Sequence, residues 1–326
     1  MDKIKDTVMN IVILDAATLG DDLDVSVFSR LGHLTVYQTT SLEEMPERTA
    51  SADVLILNKV KCNAESLKCA SMLKLICVAA TGYDNIDVDY CRLHGIGVCN
   101  VVGYSTDSVA AVTVATALSL ATHLFEYNEY TKSGAYSRGA FANAVSPVYH
   151  ELYGKTWGIY GYGNIGRRVA DVARAFGCRV IVCKKTPDES VSCVSLDSLV
   201  EASDILTVHT PLNEETRGSL NRERLSRMKK GSILVNAARG AVLDEAAVAE
   251  LVLNGHLGGF GTDVYSREPF PKTHPYTQLF EEKNVILTPH MAWGAREARE
   301  RCMAEIFENI EAYLRGENRN RVDLAL

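Results

Sequence analysis

Four stretches of this 326-residue chain carry side chains whose types and spacing could do chemistry. One is the hexapeptide GYGNIG, Gly161 to Gly166. Gly161 permits a tight turn, Gly163 lets the backbone approach a pyrophosphate with no Cβ in the way, and Gly166 lets a helix pack close to a strand. The free N–H groups and the dipole at that helix start then face the phosphates. The other three are single polar residues placed just past apolar runs. Arg239 follows SILVN, Glu268 follows GGFGTDV, and His290 follows VIL.

These groups suit hydride transfer to a 2-oxo acid. The carboxylate of such a molecule is held best by a planar, bidentate cation, which Arg supplies better than Lys. Its carbonyl oxygen needs a proton as hydride reaches the carbon, and His delivers one near neutral pH. A carboxylate on the far ring nitrogen fixes the His tautomer and favours the protonated acid, a part Glu268 can play. The bland alternatives are a solvated loop charge for Arg239, a cap for His290 and a turn former for Glu268 or Asp263. A position at the carboxyl end of an apolar strand favours chemistry, because open α/β sheets place ligands there.

The elements that must position these residues are legible from periodicity. Trp157 to Tyr160, GYGNIG, a helical pattern and Arg179 to Cys183 make one βαβ unit. Beyond it, strands are expected at Asp204 to His209, Ser232 to Asn236, Gly258 to Val264 and Val285 to Leu287. Before it, strands are expected at 9 to 14, Leu34 to Tyr37, Ala52 to Leu57, Leu73 to Ala79 and Val98 to Val101, with helices at Val25 to Leu31 and Val88 to His94. Short apolar strands alternating with helices mean parallel sheets covered on both faces. The spacing predicts an α/β protein of two domains, each a doubly wound parallel sheet. Residues 1–102 plus 297–326 form a flavodoxin-like substrate domain, and residues 103–296 a Rossmann dinucleotide-binding domain. A long apolar helix is expected from Ser108 to about Tyr130, then an irregular arm over 131–153. The tail helix, Ala295 to Leu314, with Ala298, Cys302, Ile306, Ile310 and Leu314 near a 3.6 period, is expected to return to the first domain.

Composition narrows the function. A formal charge of −7 argues against nucleic acid as a partner. The start has no signal-peptide pattern, and the Val109 to Phe125 run contains Thr113, Thr116, Ser119, Thr122 and His123. It reads as a buried helix, so a cytoplasmic protein without membrane contact is expected. Nine cysteines without a C-x-x-C pair read as reduced thiols. His94, His123, His150, His209, His256 and His274 lack metal-ligand spacing, so no metal is expected.

The motifs ATGYDNID (80–87), GYSTDSVA (103–110), GKTWGIYGYGNIG (154–166), HTPL (209–212), VNAARG (235–240), GTDVYSREP (261–269) and TPHMAW (288–293) together resemble the D-isomer-specific 2-hydroxyacid dehydrogenase family. Asn58-Lys59, GYSTDSVA and HMAW look most like glycerate dehydrogenase (hydroxypyruvate reductase). The resemblance implies hydride exchange between a nicotinamide cofactor and a small 2-oxo acid, hydroxypyruvate or glyoxylate foremost. It implies Arg239 as the substrate arginine, His290 as acid/base and Glu268 as its partner. It places Asn164 and Ile165 at the pyrophosphate, Thr210, Ala237 and Asp263 around the ribose and nicotinamide, and the backbone of Ala80, Thr81 and Gly82 at the substrate carboxylate. The chain departs from the family's VAEHT pattern at Val109-Ala110-Ala111-Val112-Thr113. Where the family has Asp to accept the ribose 2′-OH, it has Lys184, followed by Lys185. Two cations and no carboxylate at that strand end favour NADP(H) over NAD(H), unless Asp188 or Glu189 folds back onto the ribose. A homodimer through the helix from Ser108 and the arm is expected. A dinucleotide-sensing, corepressor-like binding protein is the alternative from another class. Phosphoglycerate dehydrogenase fits less well, since no regulatory domain follows the motifs, and formate dehydrogenase less still, since Glu268 stands where Gln is expected.

Overall fold

The computed structural model describes residues 8–186 and 190–324. The chain folds as two units, Met1–Ser105 with Gly294–Leu326, and Thr106–Trp293. The divisions thus fall a few residues from the 102/103 and 296/297 boundaries expected above.

The first unit is built on β1 (Met9–Ile13), β2 (Gly32–Val36), β3 (Val54–Leu57), β4 (Leu75–Val78) and β5 (Gly97–Cys99). They pair in parallel in the order β2-β1-β3-β4-β5. That is the flavodoxin-like order. Strands β3 and β4 are buried at every position, as their unbroken apolar sequences require of central strands covered on both faces. The helix Arg296–Leu314 belongs to this unit and buries Ala298, Cys302, Ile306 and Ile310. Leu314, expected on the same stripe, is 38% exposed at the end of the helix, although Ala312 in the same turn is buried. Buried Asn309 donates from Nδ2 to the Asn100 carbonyl at 3.1 Å. The expected helix at Val25 to Leu31 is instead a short 3-10 segment, Ser26–Arg30.

Two polar locks shape the strand ends of this unit. The Asp15 carboxylate, 3% exposed, accepts the N–H groups of Asn58 (2.9 Å), Lys59 (2.6 Å) and Val60 (3.1 Å). It satisfies backbone donors that would otherwise be orphaned past β3. The turn at Ala80-Thr81-Gly82 is tied down by its carbonyls: Val101 N–H donates to Ala80 at 3.0 Å and Asn100 Nδ2 to Thr81 at 2.7 Å.

The second unit contains β6 (Thr156–Tyr160), β7 (Arg179–Cys183), β8 (Ile205–Val208), β9 (Ser232–Asn236), β10 (Leu257–Thr262) and β11 (Val285–Leu287). Their order is β11-β10-β9-β8-β6-β7, all parallel. Outside β7 a single parallel bridge joins Val182 to Cys193. Counting it as a strand gives 3-2-1-4-5-6-7, which is the 3-2-1-4-5-6 order of dinucleotide-binding folds with β11 added at the far edge. Alternate residues split the core. Leu206, Val208 and Leu234 join Leu199, Val248 and Phe260 on one face, while Ile205, Ile233 and Val235 join Trp157, Val169 and Ala173 on the other. Trp157 is fully buried, and its indole N–H donates to Thr207 Oγ1 at 3.1 Å. Truncating it to Ala would cost about 3–5 kcal/mol.

The long helix expected from Ser108 is two helices, Thr106–Thr122 and Leu124–Lys132, bent by 65°. Between them His123 takes a left-handed conformation, φ 49, with Nδ1 2.7 Å from Glu126 Oε1. Each piece is helical on its own pattern, so apolar periodicity alone runs through the break. The arm over 131–153 contains one short helix, Ala135–Arg138. Among the described residues no single helix is long and apolar enough to cross a membrane; the bent pair passes on length and composition, and its first member buries Val109, Ala110, Val114, Ala117 and Leu120.

Candidate active site

Loops leaving β9, β10 and β11 at their carboxyl ends carry Arg239, Glu268 and His290. The turn after β9 is shaped by Asn236, which is fully buried. Its Oδ1 accepts the Ala238 N–H at 3.1 Å and its Nδ2 donates to the Arg239 carbonyl at 3.0 Å. The Arg239 side chain is half-buried and donates from Nη1 to the Ala238 carbonyl at 2.9 Å.

Glu268 and His290 meet. His290 Nδ1 lies 2.6 Å from Glu268 Oε2, with 21% and 31% of the two side chains exposed. The other carboxylate oxygen of Glu268 accepts the Tyr265 N–H at 2.9 Å. With Nδ1 turned to Glu268, Nε2 is the ring nitrogen left for a substrate. A charge-assisted bond of this kind is worth about 1.5–3 kcal/mol. His290 has a left-handed backbone, φ 54. That conformation costs about 1–2 kcal/mol in a residue with a Cβ, and persists only where the surroundings over-determine it. Here they do. Asp263, 4% exposed, accepts Thr288 Oγ1–H at 2.6 Å and the N–H groups of Met291 and Ala292 at 2.8 Å each. The Trp293 indole donates to the His290 carbonyl at 2.9 Å. Asp263, expected around the cofactor, thus spends three acceptor positions on the His290 loop; a carboxylate has about four.

Tyr265 adds a further tie that its sequence neighbours do not reveal. Its hydroxyl donates to the Thr288 carbonyl at 2.9 Å. Burial, helped by the charges of Asp263, Glu268 and Glu245, pushes its pKa up to about 12 and keeps it a neutral donor.

The glycine turn after β6 fits a dinucleotide pyrophosphate. Gly161 has φ 97, and a Cβ there would lie 2.5 Å from His209 C and Thr210 N. At Gly166 a Cβ would lie 2.2 Å from the Gly161 carbonyl oxygen. At Gly163 it would meet nothing within 4 Å, so the space before the helix Asn164–Ala175 is open. That helix has no capping side chain and no acid in its first turn. The N–H groups around Asn164 and Ile165 therefore open toward the space before the helix, with no acid in that helix's first turn. Thr210 and Ala237 lie at the ends of β8 and β9, Thr210 7% exposed and Ala237 half-buried. The His209 ring nitrogens are buried and find no partner among the described residues. Burial holds that imidazole neutral, with a pKa down to about 3.

At the end of β7 the cations are arranged differently from expectation. Lys184 Nζ lies 6.0 Å from the Tyr162 ring centroid, and Arg167 Cζ lies 4.6 Å over the same ring. Arg167 was not singled out by the sequence, although it directly follows GYGNIG. Lys185 Nζ sits 3.0 Å from Glu215 Oε1 in an exposed pair. The expectation that no carboxylate stands at this strand end is therefore corrected: Glu215 arrives from the loop after β8, 30 residues away. Asp188 and Glu189, the alternative ribose ligands, lie outside the described residues. Ala80, Thr81 and Gly82 belong to the first unit and are described with it.

The chain is similar to proteins of known family. Residues 114–292 match the family described as D-isomer specific 2-hydroxyacid dehydrogenase, NAD binding domain. The chain is 34% identical to a glycerate dehydrogenase of Methylorubrum extorquens, over 96% of this chain and 98% of the relative. It is 34% identical to a hydroxypyruvate reductase of Blautia hydrogenotrophica, over 97% and 100%. An acyclic imino acid reductase, solved with NADPH and D-Arg, superimposes with a TM-score of 0.86 at 30% identity, over 96% of this chain and 100% of that one. The chain belongs to the D-isomer-specific 2-hydroxyacid dehydrogenases, enzymes that use a nicotinamide dinucleotide to interconvert small 2-hydroxy and 2-oxo acids.

Proposed function

We propose that this enzyme reduces a short 2-oxo acid, hydroxypyruvate or glyoxylate, to the D-2-hydroxy acid, with NADP(H) preferred over NAD(H). The observation that carries the reading is the Glu268–His290 pair, 2.6 Å from Nδ1 to Oε2, on a loop clamped by Asp263. Bound reduced cofactor supplies the hydride. Arg239 forks onto the substrate carboxylate and draws electron density from the carbonyl. His290 donates a proton from Nε2 to the carbonyl oxygen as the alkoxide develops. Glu268 holds the ring by Nδ1 and offsets the positive charge of the acid form. Asn164 and Ile165 offer backbone N–H groups to the pyrophosphate. Thr210 and Ala237 border the ribose and nicotinamide, with the remaining acceptor position of Asp263.

Two relatives named for hydroxypyruvate or glycerate support the substrate choice, and a relative solved with NADPH supports the cofactor choice. Lys184 and Arg167, both against Tyr162, supply positive charge for a 2′-phosphate. Kinetics following nicotinamide absorbance with a panel of 2-oxo acids, each with NADPH and NADH, test both choices. A higher kcat/KM with NADH, or with a bulky 2-oxo acid such as phenylpyruvate, would overturn the respective half.

The enzyme acts as a homodimer through the helical stretch that begins at Ser108 and the arm over 131–153. Leu124 (56%), Phe125 (55%), Phe141 (80%), Val145 (74%), Val148 (71%) and Tyr153 (80%) are exposed there. A concentration of large apolar side chains in one segment favours an interface. A monomer mass by light scattering at micromolar concentration would refute it.

A further inference from the structure

We propose that Glu245, oriented by His274, is a positioning residue for the Glu268–His290 pair; this rests on the acid–base reading of that pair. Glu245 opens the helix Glu245–Leu253, directly after its N-cap Asp244. Its carboxylate does not point to solvent: 9% of the side chain is exposed, and 5% of that of His274. Oε1 accepts the Ser266 N–H at 2.8 Å. Oε2 accepts the Ser266 Oγ–H at 2.5 Å and contacts His274 Nε2 at 2.9 Å. His274 Nδ1 in turn accepts the Tyr276 N–H at 3.2 Å, so the ring proton is on Nε2 and donates to Glu245. The imidazole is wedged among Tyr265, Phe270 and Tyr276, with centroids 6.0, 4.9 and 4.9 Å away.

What Glu245 grips is the Tyr265–Ser266 peptide, and two parts of the site take their register from it. Tyr265 N–H, one residue before the grip, sets the Glu268 carboxylate at 2.9 Å. Gly240, directly after Arg239, is pressed against the same peptide: a Cβ there would lie 2.0 Å from Tyr265 C and 2.2 Å from Ser266 N. Glu245 thus fixes the surface on which the acid–base carboxylate and the Arg239 turn both rest, without reaching the reacting atoms. A glutamine cannot replace it. Its single acceptor oxygen cannot meet three donors, and its NH2 group would face the Ser266 N–H or the His274 Nε2–H. The titratable groups around this peptide include Tyr265, Asp263, Glu268 and Glu245 itself, with His274 and Tyr276 packed against Glu245 and Tyr265.

The test compares full-length wild type with Glu245→Gln, His274→Asn, Glu268→Gln and the Glu245→Gln/Glu268→Gln double variant, using hydroxypyruvate and NADPH. The readouts are the pH profile of kcat/KM, cofactor Kd and Tm. Glu245→Gln is expected to lower kcat by ~10-fold and to move the alkaline limb toward lower pH, as Glu268→Gln does, with cofactor Kd within ~2-fold of wild type. The double variant is expected to match Glu268→Gln alone, because the carboxylate being positioned is gone. His274→Asn keeps an acceptor for the Tyr276 N–H and removes the donor to Glu245; it should shift the limb in the same direction and serves if Glu245→Gln does not fold. A lower Tm with an unmoved alkaline limb, or losses that multiply in the double variant, overturns the positioning role while the acid–base reading stands. If Glu268→Gln itself leaves the limb in place, the acid–base reading fails and the proposal falls with it.

Discussion

Replacing Glu268 with Gln removes one charge and little else. The amide keeps the length of the side chain, and its oxygen can still accept from His290 Nδ1. What disappears is the negative charge 2.6 Å from that nitrogen. A charge-assisted bond is worth about 1.5–3 kcal/mol against about 1 kcal/mol for a neutral one. With 31% and 21% of the two side chains exposed, water screens part of this difference of about 0.5–2 kcal/mol, so its middle applies rather than its upper end. About 1–1.5 kcal/mol corresponds to ~1 pH unit. The sign follows from which form the carboxylate favours. It stabilises the imidazolium, so in the variant the acid form is lost at lower pH. In the reduction direction the alkaline limb of kcat/KM should move down by ~1 unit, and at a pH above both limbs the variant should be ~10-fold slower. In the oxidation direction the neutral imidazole is the base, and the acidic limb should move down by the same amount. Movement of both limbs in one direction separates an electrostatic effect from general destabilisation, which narrows the profile from both sides. The assay is nicotinamide absorbance with hydroxypyruvate and with D-glycerate over a pH series. Limbs that stay put in both directions, with kcat/KM reduced, would refute the pairing.

Arg239→Lys keeps the charge and loses the fork, so kcat/KM for the 2-oxo acid should fall by ~10²-fold while cofactor affinity, measured by fluorescence titration, changes little; equal losses in both would place Arg239 elsewhere. Lys184→Asp should reverse the cofactor preference, raising kcat/KM with NADH relative to NADPH by at least ~10-fold; a variant that keeps the preference would move the discrimination to Arg167 or beyond. His209, whose folded pKa lies near 3 against an ordinary 6.5, binds fewer protons folded than unfolded between those values. Stability is therefore full above about pH 6.5 and is lost as pH falls, by about 1–2 kcal/mol at pH 5. Urea unfolding at about pH 5 and 7.5 should show a smaller pH effect in His209→Leu than in wild type, and an equal effect would remove His209 as the source.

How the chain divides between local and tertiary information is visible residue by residue. Strands such as Val54–Leu57 and Ser232–Asn236 are unbroken apolar runs, buried at every position, and their sequence alone demands a covered parallel sheet. GYGNIG declares its turn because Gly161 and Gly166 sit where a Cβ would collide with backbone. Arg239, Glu268 and His290 stand out because each follows such a strand. What those signals lack is distance. The contact of His290 with Glu268 spans 22 residues, and that of Lys185 with Glu215 spans 30. Both depend on the order in which β8, β10 and β11 are laid beside their neighbours, which no window of sequence contains. The same holds for Glu245, Ser266 and His274, ordinary polar residues in sequence that the register of β9 and β10 gathers behind the site. The left-handed turn at His123 escaped for the opposite reason: it occupies one residue, while the apolar period that predicts a helix is averaged over several turns. Local sterics and hydrophobic periodicity act over a few residues and are written in the sequence; which carboxylate meets which imidazole is decided only when the sheet closes its order.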